Sequence, residues 1–232
     1  VPGVEEHAYF LKTLEEAVTL KNHIICCFEA AAREADARKR KRLLTFVIVG
    51  GGATGVEYAG ALTELIHGPL IKDYSNIDLS ETRIILLEAA EQLVLSMPSD
   101  IRDYTAGQLR KMGVDVLLKK IVTEIYSDRL VVKGAENIEA STVVWTAGVQ
   151  GEKLAAVSNI PVTSDGRVSV RETLQIPEQQ NIYAIGDLAA INEGRRILPM
   201  VAQVAIQSGV TSARNILRQI AGLAPQPFIY KD

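Results

Sequence analysis

A glycine-rich turn between an apolar run and a helical pattern constrains the fold of this 232-residue chain more than any other feature. The apolar run 44–49 contains β-branched residues, which is typical of a strand buried on both faces of a parallel sheet. Gly50, Gly52 and Gly55 follow it in the order G-x-G-x-x-G, and helical periodicity begins at 56–66. Strand, tight turn and helix in this order predict a Rossmann-like α/β unit.

Each glycine of this turn has its own role in the expected fold. Gly50 permits the tight turn, Gly52 lets the backbone approach a diphosphate, and Gly55 lets the helix pack closely on the strand. Thr54 lies where the first N–H groups and the positive end of the helix dipole would face the anion. The turn therefore predicts a dinucleotide site, and the alternative is a glycine-rich turn with no ligand.

Glu88 stands at the end of a predicted second parallel strand, 83–87. An acidic side chain there can accept hydrogen bonds from an adenosine ribose and repel a 2′-phosphate. Glu88 follows Gly55 by 33 residues (88 − 55), against an expected ~20, so the polar stretch 67–82 has to be an insertion. Because 89–101 contains no Lys or Arg, NADH is favoured over NADPH.

Glu57 lies two residues past the third glycine, where we expect the first turn of the helix. One interpretation is a carboxylate that the helix macrodipole stabilises. The other is a group that faces the reacting nicotinamide ring, where it positions the ring or influences proton delivery.

The remaining patterns extend this α/β unit and end it near Gly148. Ahead of the glycine turn, apolar spacing from Ala8 to about Arg38 predicts one long amphipathic helix or two shorter ones, with a helix near Thr13 to Arg33. After Glu88, we predict a helix at 98–112, a third parallel strand at 114–118, a hairpin of 121–126 and 130–133, and a strand at 142–146. A second domain is expected beyond Gly148, with strands at 168–170 and 181–185 and a helix at 199–221.

Charge and composition argue against nucleic acid as a partner. The net charge is −3, from 25 basic and 28 acidic residues, and only 5% of the residues are aromatic. The basic run 38–42 is interpreted as a solvated helix end, and the alternative is a patch for a membrane surface or an acidic partner.

The two cysteines, Cys26 and Cys27, are adjacent in an apolar helix, and neighbours on a helix point in different directions. They lack the spacing of a zinc site or a CxxC pair, so we expect buried thiols and no metal site. No stretch approaches the ~20 apolar residues that span a bilayer, and the chain by itself is expected to be soluble. The opening residues 1–4 have no initiator Met and suggest a fragment.

The sequence resembles the type II NADH:quinone oxidoreductases, within the superfamily of FAD-dependent pyridine nucleotide-disulfide oxidoreductases. The resemblance covers nearly the whole chain. The glycine motif is shared across the superfamily, whereas the segments VVWTAGV and AQVAIQ together indicate a narrower group of proteins. The segments that carry it are GVEEHA at 3–8, GGGATGVEYAGA at 50–61, VVWTAGV at 143–149, IYAIGDLA at 182–189 and PMVAQVAIQSG at 199–209.

The resemblance implies an α/β fold in which a Rossmann-like NADH-binding domain, 44–149, is inserted in an incomplete, three-layer FAD-binding domain. Parts of that flavin domain would be 1–43 and 150–232. It also implies that Ala147 and Gly148 lie against NADH. A small-residue turn after a strand allows such close approach, and a purely structural turn remains the alternative.

The resemblance further implies a flavin motif at Gly186 and Asp187, in which the Asp carboxylate hydrogen-bonds the ribityl and pyrophosphate region of FAD. The alternative is an Asp that caps the next helix. Ala202, Gln203 and Gln207 match an AQxxxQ pattern beside the isoalloxazine ring and the quinone pocket. An ordinary polar helix face would explain the two glutamines equally.

In the full enzyme the resemblance implies hydride transfer from NADH to FAD and passage of two electrons to a quinone of a respiratory chain. Glu57, Gln203 and Gln207 would be the catalytic residues. The enzyme would be peripheral on the cytoplasmic side of a membrane, attached by a C-terminal segment outside this chain, and a homodimer is left open. An N-terminal flavin motif would precede residue 1, so the chain alone is expected to bind NADH without stable FAD and to be inactive.

Two other functions stay open from the sequence. A pyridine nucleotide–disulfide reductase shares the double-nucleotide plan but needs a cysteine pair beside the flavin, upstream of this chain. A non-catalytic dinucleotide-binding module is the second alternative.

Overall fold

The structure is a computed structural model that describes residues 1–148, 160–194 and 196–231. The chain divides into two compact units, Val1–Gly148 and Val149–Asp232.

The first unit combines helices with a parallel and an antiparallel sheet. Its helices, in chain order, are α1 (Val4–His7), α2 (Leu14–Arg33), α3 (Ala37–Leu43), α4 (Ala53–Leu65), α5 (Ile71–Asp73) and α6 (Ser99–Lys111). Its strands are β1 (Thr45–Val49), β2 (Arg83–Leu87), β3 (Val114–Leu117), β4 (Val122–Ile125), β5 (Arg129–Val132), β6 (Ile138–Glu139) and β7 (Thr142–Trp145).

The parallel sheet has the strand order β3-β2-β1-β7, and every pairing in it is parallel. All residues of β1 are buried, as the apolar run predicts. Because side chains alternate along a strand, Phe46 and Ile48 face one core while Val47 and Val49 face the other. The sheet is therefore covered on both faces, and the predicted α/β fold with a Rossmann-like parallel sheet is confirmed.

The two covering layers are different. Helices α2, α4 and α6 cover one face, where Phe28 stacks on Phe46 with ring centroids 6.1 Å apart. The antiparallel sheet β4-β5-β6 covers the other face, and contributes Ile125, Leu130 and Val132 to that core. The first unit thus has three layers, and the predicted hairpin is confirmed as β4 and β5.

Residues 1–43 pack on the parallel sheet of the first unit. Thr13 begins α2 with a capping box in which the Thr13 hydroxyl accepts from the Glu16 N–H and the Glu16 carboxylate accepts from the Thr13 N–H. Cys27 is buried as expected, whereas Cys26 is exposed, which corrects the expectation of two buried thiols. The assignment of 1–43 and 150–232 to one flavin-binding domain stays a prediction.

Helix α3 contains the basic run, and its arginines pair with carboxylates elsewhere in the first unit. Arg38 pairs with Glu139 and Arg40 with Glu81. These contacts tie α3 to β6 and to the residues ahead of β2. The basic run thus lies at a helix end, as predicted, with Arg40, Lys41 and Arg42 in the last turn, and it makes ion pairs that the sequence did not predict.

The stretch 67–82 separates α4 from β2 and is largely helical rather than a loop. A π-helical turn, Ile66–Leu70, continues α4 through Pro69, and α5 follows it directly. A 3-10 turn at Leu79–Glu81 then leads into β2. These turns account for the long separation between Gly55 and Glu88, and they form the insertion that the sequence predicts between α4 and β2.

The second unit consists of short strands and one long helix, α7 (Ala202–Ile220). Its described strands are β8 (Val168–Ser169), β9 (Gln175–Ile176), β10 (Gln179–Tyr183), β11 (Ala189–Ala190), β12 (Asn192–Glu193) and β13 (Arg196–Ile197). A separate core that includes Val168, Leu174 and Val204 joins the strands to α7. Within the described part of the chain, no helix combines the length and apolarity needed to cross a bilayer.

Candidate functional site

The glycine turn joins β1 to α4 at the carboxyl edge of the parallel sheet. Gly50 has φ +119°, a conformation that side chains disfavour, and its N–H donates to the Leu87 carbonyl at 2.9 Å. A Cβ on Gly50 would lie 2.6 Å from the Ala147 nitrogen. The first glycine is thus required both by the turn and by the approach of the segment after β7.

Gly55 lets α4 pack against the turn from which it starts. A Cβ on Gly55 would lie 1.9 Å from the Gly50 carbonyl oxygen and 2.8 Å from the Thr146 hydroxyl oxygen. No side chain fits in that space. The third glycine has the packing role that the sequence predicts.

Gly52 differs from the other two because it faces open space. It is exposed, it is the N-cap of α4, and a Cβ on it would meet no atom within 4 Å. No side chain caps the helix there, and the exposed Thr54 lies in its first turn. Uncapped N–H groups at a helix start bind anions readily, so this surface can accept a diphosphate.

The Glu88 carboxylate is bonded to the glycine turn itself, which sequence reasoning missed. The Gly51 N–H donates to Glu88 Oε2 at 2.6 Å, and the Ala90 N–H donates to Oε1 at 2.7 Å. A Cβ on Gly51 would lie 2.9 Å from Oε2 and 2.5 Å from Leu93 Cδ2. Each carboxylate oxygen keeps acceptor capacity, because an ionised carboxylate has about four lone-pair sites.

The other face of the turn is held by Thr146, which sequence reasoning also missed. The Thr146 hydroxyl lies 3.1 Å from the carbonyl oxygens of both Val49 and Gly50 and donates to them. Ala147 follows it, and Gly148 is exposed with φ +76°. The end of β7 therefore lies directly against the turn, at the change in strand order between β1 and β7 where α/β sheets bind ligands.

Thr146→Val tests how much this hydroxyl stabilises the turn. Valine has a similar shape and cannot donate, so we expect the free energy of unfolding to fall by about 1–2 kcal/mol, with weaker dinucleotide binding. Chemical denaturation and a binding titration measure the two effects. Thr123→Val is the control, because the Thr123 hydroxyl is exposed and its contact to the Val131 carbonyl is long, 3.4 Å. Equal effects of the two substitutions would contradict this role.

Glu57 lies outside the first turn of α4, contrary to the sequence expectation. It is the fifth residue of the helix, and the first turn holds no acidic residue. Stabilisation by the macrodipole fades beyond the first turn, so that interpretation loses its basis. Glu57 is exposed, whereas burial raises the pKa of the neighbouring Tyr58 and keeps that phenol neutral.

In the second unit, Gly186 and Asp187 begin a 3-10 turn, Gly186–Leu188, after β10. Gly186 has φ +56°, and its N–H donates to the Ser208 hydroxyl of α7 at 3.1 Å. Asp187 is exposed. The N-caps of this turn and of α7 are Ile185 and Val201, so the interpretation of Asp187 as a helix cap is wrong.

Ala202, Gln203 and Gln207 lie in the first two turns of α7. Ala202 and Gln203 are exposed. Gln207 is half-buried, and its amide pairs with the backbone of Lys231. The two glutamines share a helix face, as their spacing predicts, but only one of them is engaged by the protein in this way.

The structure brings the predicted nucleotide residues together within the first unit. The start of α4 is surrounded by Gly50, Gly52, Thr54, Gly55 and Glu88. The residues after β7 lie beside them. The predicted flavin and quinone residues lie in the second unit, around the start of α7.

A parallel sheet with an uncapped glycine turn at its carboxyl edge defines the first unit as a Rossmann-like α/β domain with an open place for an anion. The comparison with known families then identifies the chain. It belongs to the pyridine nucleotide-disulphide oxidoreductase family, which matches residues 1–209.

Similar proteins include a type II NADH:quinone oxidoreductase and a probable NADH dehydrogenase. The type II NADH:quinone oxidoreductase Ndh of Mycobacterium tuberculosis is 37% identical, with 98% of this chain and 50% of the relative covered. A probable NADH dehydrogenase of Dictyostelium discoideum is 33% identical, with 100% of this chain and 51% of the relative covered. The chain thus spans about half the length of these relatives.

Solved structures share the fold. The NDH2 of Plasmodium falciparum, solved in complex with NADH, aligns with a TM-score of 0.75 at 24% identity, covering 82% of this chain and 41% of that one. A ferredoxin reductase from Rhodopseudomonas palustris aligns with a TM-score of 0.70 at 18% identity, covering 100% and 50%.

Proposed function

We propose that this chain is the NADH-binding part of an NADH:quinone oxidoreductase that also uses FAD. The observation that carries the proposal is the Glu88 carboxylate bonded to a glycine turn whose Gly52 side is open. The relatives named as an NADH:quinone oxidoreductase and a probable NADH dehydrogenase match nearly all of this chain. Their names support NADH as the electron donor and quinone as the electron acceptor.

The first unit would hold NADH by its diphosphate and its adenosine ribose. The uncapped first turn of α4 provides N–H groups and the positive end of the helix dipole for the diphosphate. Glu88 would accept the ribose hydroxyls with its remaining lone pairs and would repel the 2′-phosphate of NADPH. Ala147 and Gly148 would allow the nicotinamide half to lie close to the backbone.

The second unit would contribute to the flavin and quinone sites. The exposed carboxylate of Asp187 fits hydrogen bonding to the ribityl chain and pyrophosphate of FAD, and Gly186 permits the turn that presents it. When bound there, FAD would supply the acceptor for the hydride of NADH and the donor of two electrons to the quinone. Ala202 would leave room for the ring, and the Gln203 amide can donate to a flavin or quinone carbonyl without placing a charge there.

Glu57 would act on the nicotinamide side of the reaction. Its side chain is exposed on α4, two residues past the third glycine. A carboxylate there would orient the nicotinamide or hold a proton near the reacting ring.

Peripheral attachment to a membrane is part of the same proposal for the whole protein.

The proposal is tested by turnover of the complete polypeptide with NADH and a soluble quinone. We expect flavin bleaching on addition of NADH and recovery of the flavin absorbance on addition of quinone. NADH binding without bleaching would identify a non-catalytic nucleotide-binding module. Reduction of a disulfide substrate in place of quinone would identify a disulfide reductase.

We expect this chain by itself to bind NADH more tightly than NADPH and to purify without flavin, because the nucleotide turn is intact while the chain spans about half the length of its relatives. Fluorescence titration with both nucleotides measures the first half, and the visible absorbance spectrum the second. A yellow protein, or equal affinity for the two nucleotides, would contradict the respective half.

A further inference from the structure

Residues 224–231, which we call the C-terminal strap, run along helix α7 and are held there by side-chain amides. Asn215 of α7 is 1% exposed. Its Oδ1 accepts from the Gln226 N–H at 2.8 Å, and its Nδ2 donates to the Gln226 carbonyl at 2.8 Å. The side chain thus pairs with a strap residue as a neighbouring strand would.

Gln207 repeats this pairing nearer the start of α7. Its Oε1 accepts from the Lys231 N–H at 3.0 Å, and its Nε2 donates to the Lys231 carbonyl at 2.8 Å. Between the two pairings, the Phe228 N–H donates to the Glu172 carbonyl at 2.8 Å. Phe228 and Tyr230 pack against the core, whereas Ile229 is 75% exposed, so the strap alternates as a strand does.

The two amide pairings set the direction of the strap. Asn215 lies eight residues after Gln207, about 12 Å along the helix, while Gln226 and Lys231 are five residues apart, about 16 Å when extended. The strap therefore runs antiparallel to α7 and leads towards the first turn, where Ala202 and Gln203 are exposed.

We propose that Gln207 is a positioning residue that fixes the strap, and that the strap forms one side of the quinone-binding region at Gln203. The oxygen and the nitrogen of the Gln207 amide are each bonded to the Lys231 backbone, so loss of this side chain releases the strap beside Gln203. Gln203 takes no part in the pairing and is the glutamine that contacts the quinone. The quinone part of this proposal rests on the proposed function.

Hydrogen–deuterium exchange of the complete polypeptide tests the positioning role directly. We expect Gln207→Ala to speed exchange of the Lys231 amide about fivefold or more, since each net hydrogen bond accounts for roughly that factor. The matched control, Gln203→Ala, removes the same amide one turn away and should leave that exchange unchanged. Unchanged exchange in Gln207→Ala, or equal acceleration in both variants, would overturn the proposal.

Quinone kinetics distinguish action through the strap from direct contact. Asn215 lies 12 residues after Gln203, about 18 Å along α7, too far to touch a quinone held at Gln203. We expect Asn215→Ala and Gln207→Ala each to raise the quinone KM at least threefold with kcat less affected. Because Asn215 is buried, Gln226→Pro serves as a second variant that removes the N–H from the strap side.

A raised KM in Gln207→Ala alone, with wild-type values in Asn215→Ala and Gln226→Pro, would overturn action through the strap. Absence of quinone turnover in the unmodified protein would instead overturn the proposed function. The exchange experiment would then still decide whether Gln207 holds the strap.

Discussion

Gly52→Ala is expected to reduce NADH affinity by at least about tenfold, roughly 1.4 kcal/mol, while the melting temperature stays unchanged. The φ of Gly52 is −74° and its ψ is −177°, which alanine adopts readily. A methyl group there meets no protein atom within 4 Å and projects into the space that the diphosphate would enter. The substitution thus separates binding from folding.

Gly55→Ala serves as the contrasting variant, three residues along the same turn. Its Cβ would lie 1.9 Å from the Gly50 carbonyl oxygen, so α4 or the turn must shift. We expect a loss of about 3 kcal/mol or more in the free energy of unfolding, because backbone cannot yield as a flexible side chain does. Chemical denaturation and NADH titration of both variants check the pair.

Either of two results would contradict these roles of Gly52 and Gly55. If Gly52→Ala binds NADH as the unmodified chain does, the diphosphate does not lie over the start of α4. If Gly55→Ala is as stable as the unmodified chain, the close packing of α4 on the turn is not required.

Local patterns made much of the fold predictable. The run of β1, the glycines after it and the alternation of β4 and β5 each lie within a few residues of sequence. The periodicity of apolar residues predicts strands and helices of this kind. The end of β2 at Leu87, and with it the place of Glu88, follows from the same reasoning.

The contacts that complete the site join residues far apart in the sequence. The bond from Gly51 to Glu88 spans 37 residues, and that from Thr146 to Gly50 spans 96. The pairing of Gln207 with Lys231 spans 24 residues. No periodicity encodes such contacts, because they depend on how the finished sheet and helices bring the ends of elements together. For the same reason the sequence predicts Glu88 as a candidate ligand for ribose but does not predict its bond to the turn.

Glu88→Arg is expected to shift nucleotide preference towards NADPH and, at the same time, to weaken the turn. An arginine at the end of β2 can pair with a 2′-phosphate, whereas the carboxylate repels it. The substitution also leaves the N–H groups of Gly51 and Ala90 without their acceptor. Hydrogen bonds to a charged group contribute about 1.5–3 kcal/mol each, and the half-buried position keeps the total at about 2–4 kcal/mol.

The two effects of Glu88→Arg can be told apart by calorimetric titration and denaturation of the same preparations. We expect the ratio of the NADPH to the NADH dissociation constant to fall at least about tenfold, mainly because NADH affinity is lost. Glu91→Arg is the matched control: it makes the same change of charge three residues away, where the exposed Glu91 carboxylate pairs with Lys119 rather than with the turn. Unchanged affinities for both nucleotides in Glu88→Arg would remove Glu88 from the site. An equal shift in Glu91→Arg would mean that nucleotide preference responds to the general charge of this surface, and that the bond between Glu88 and Gly51 contributes only to stability.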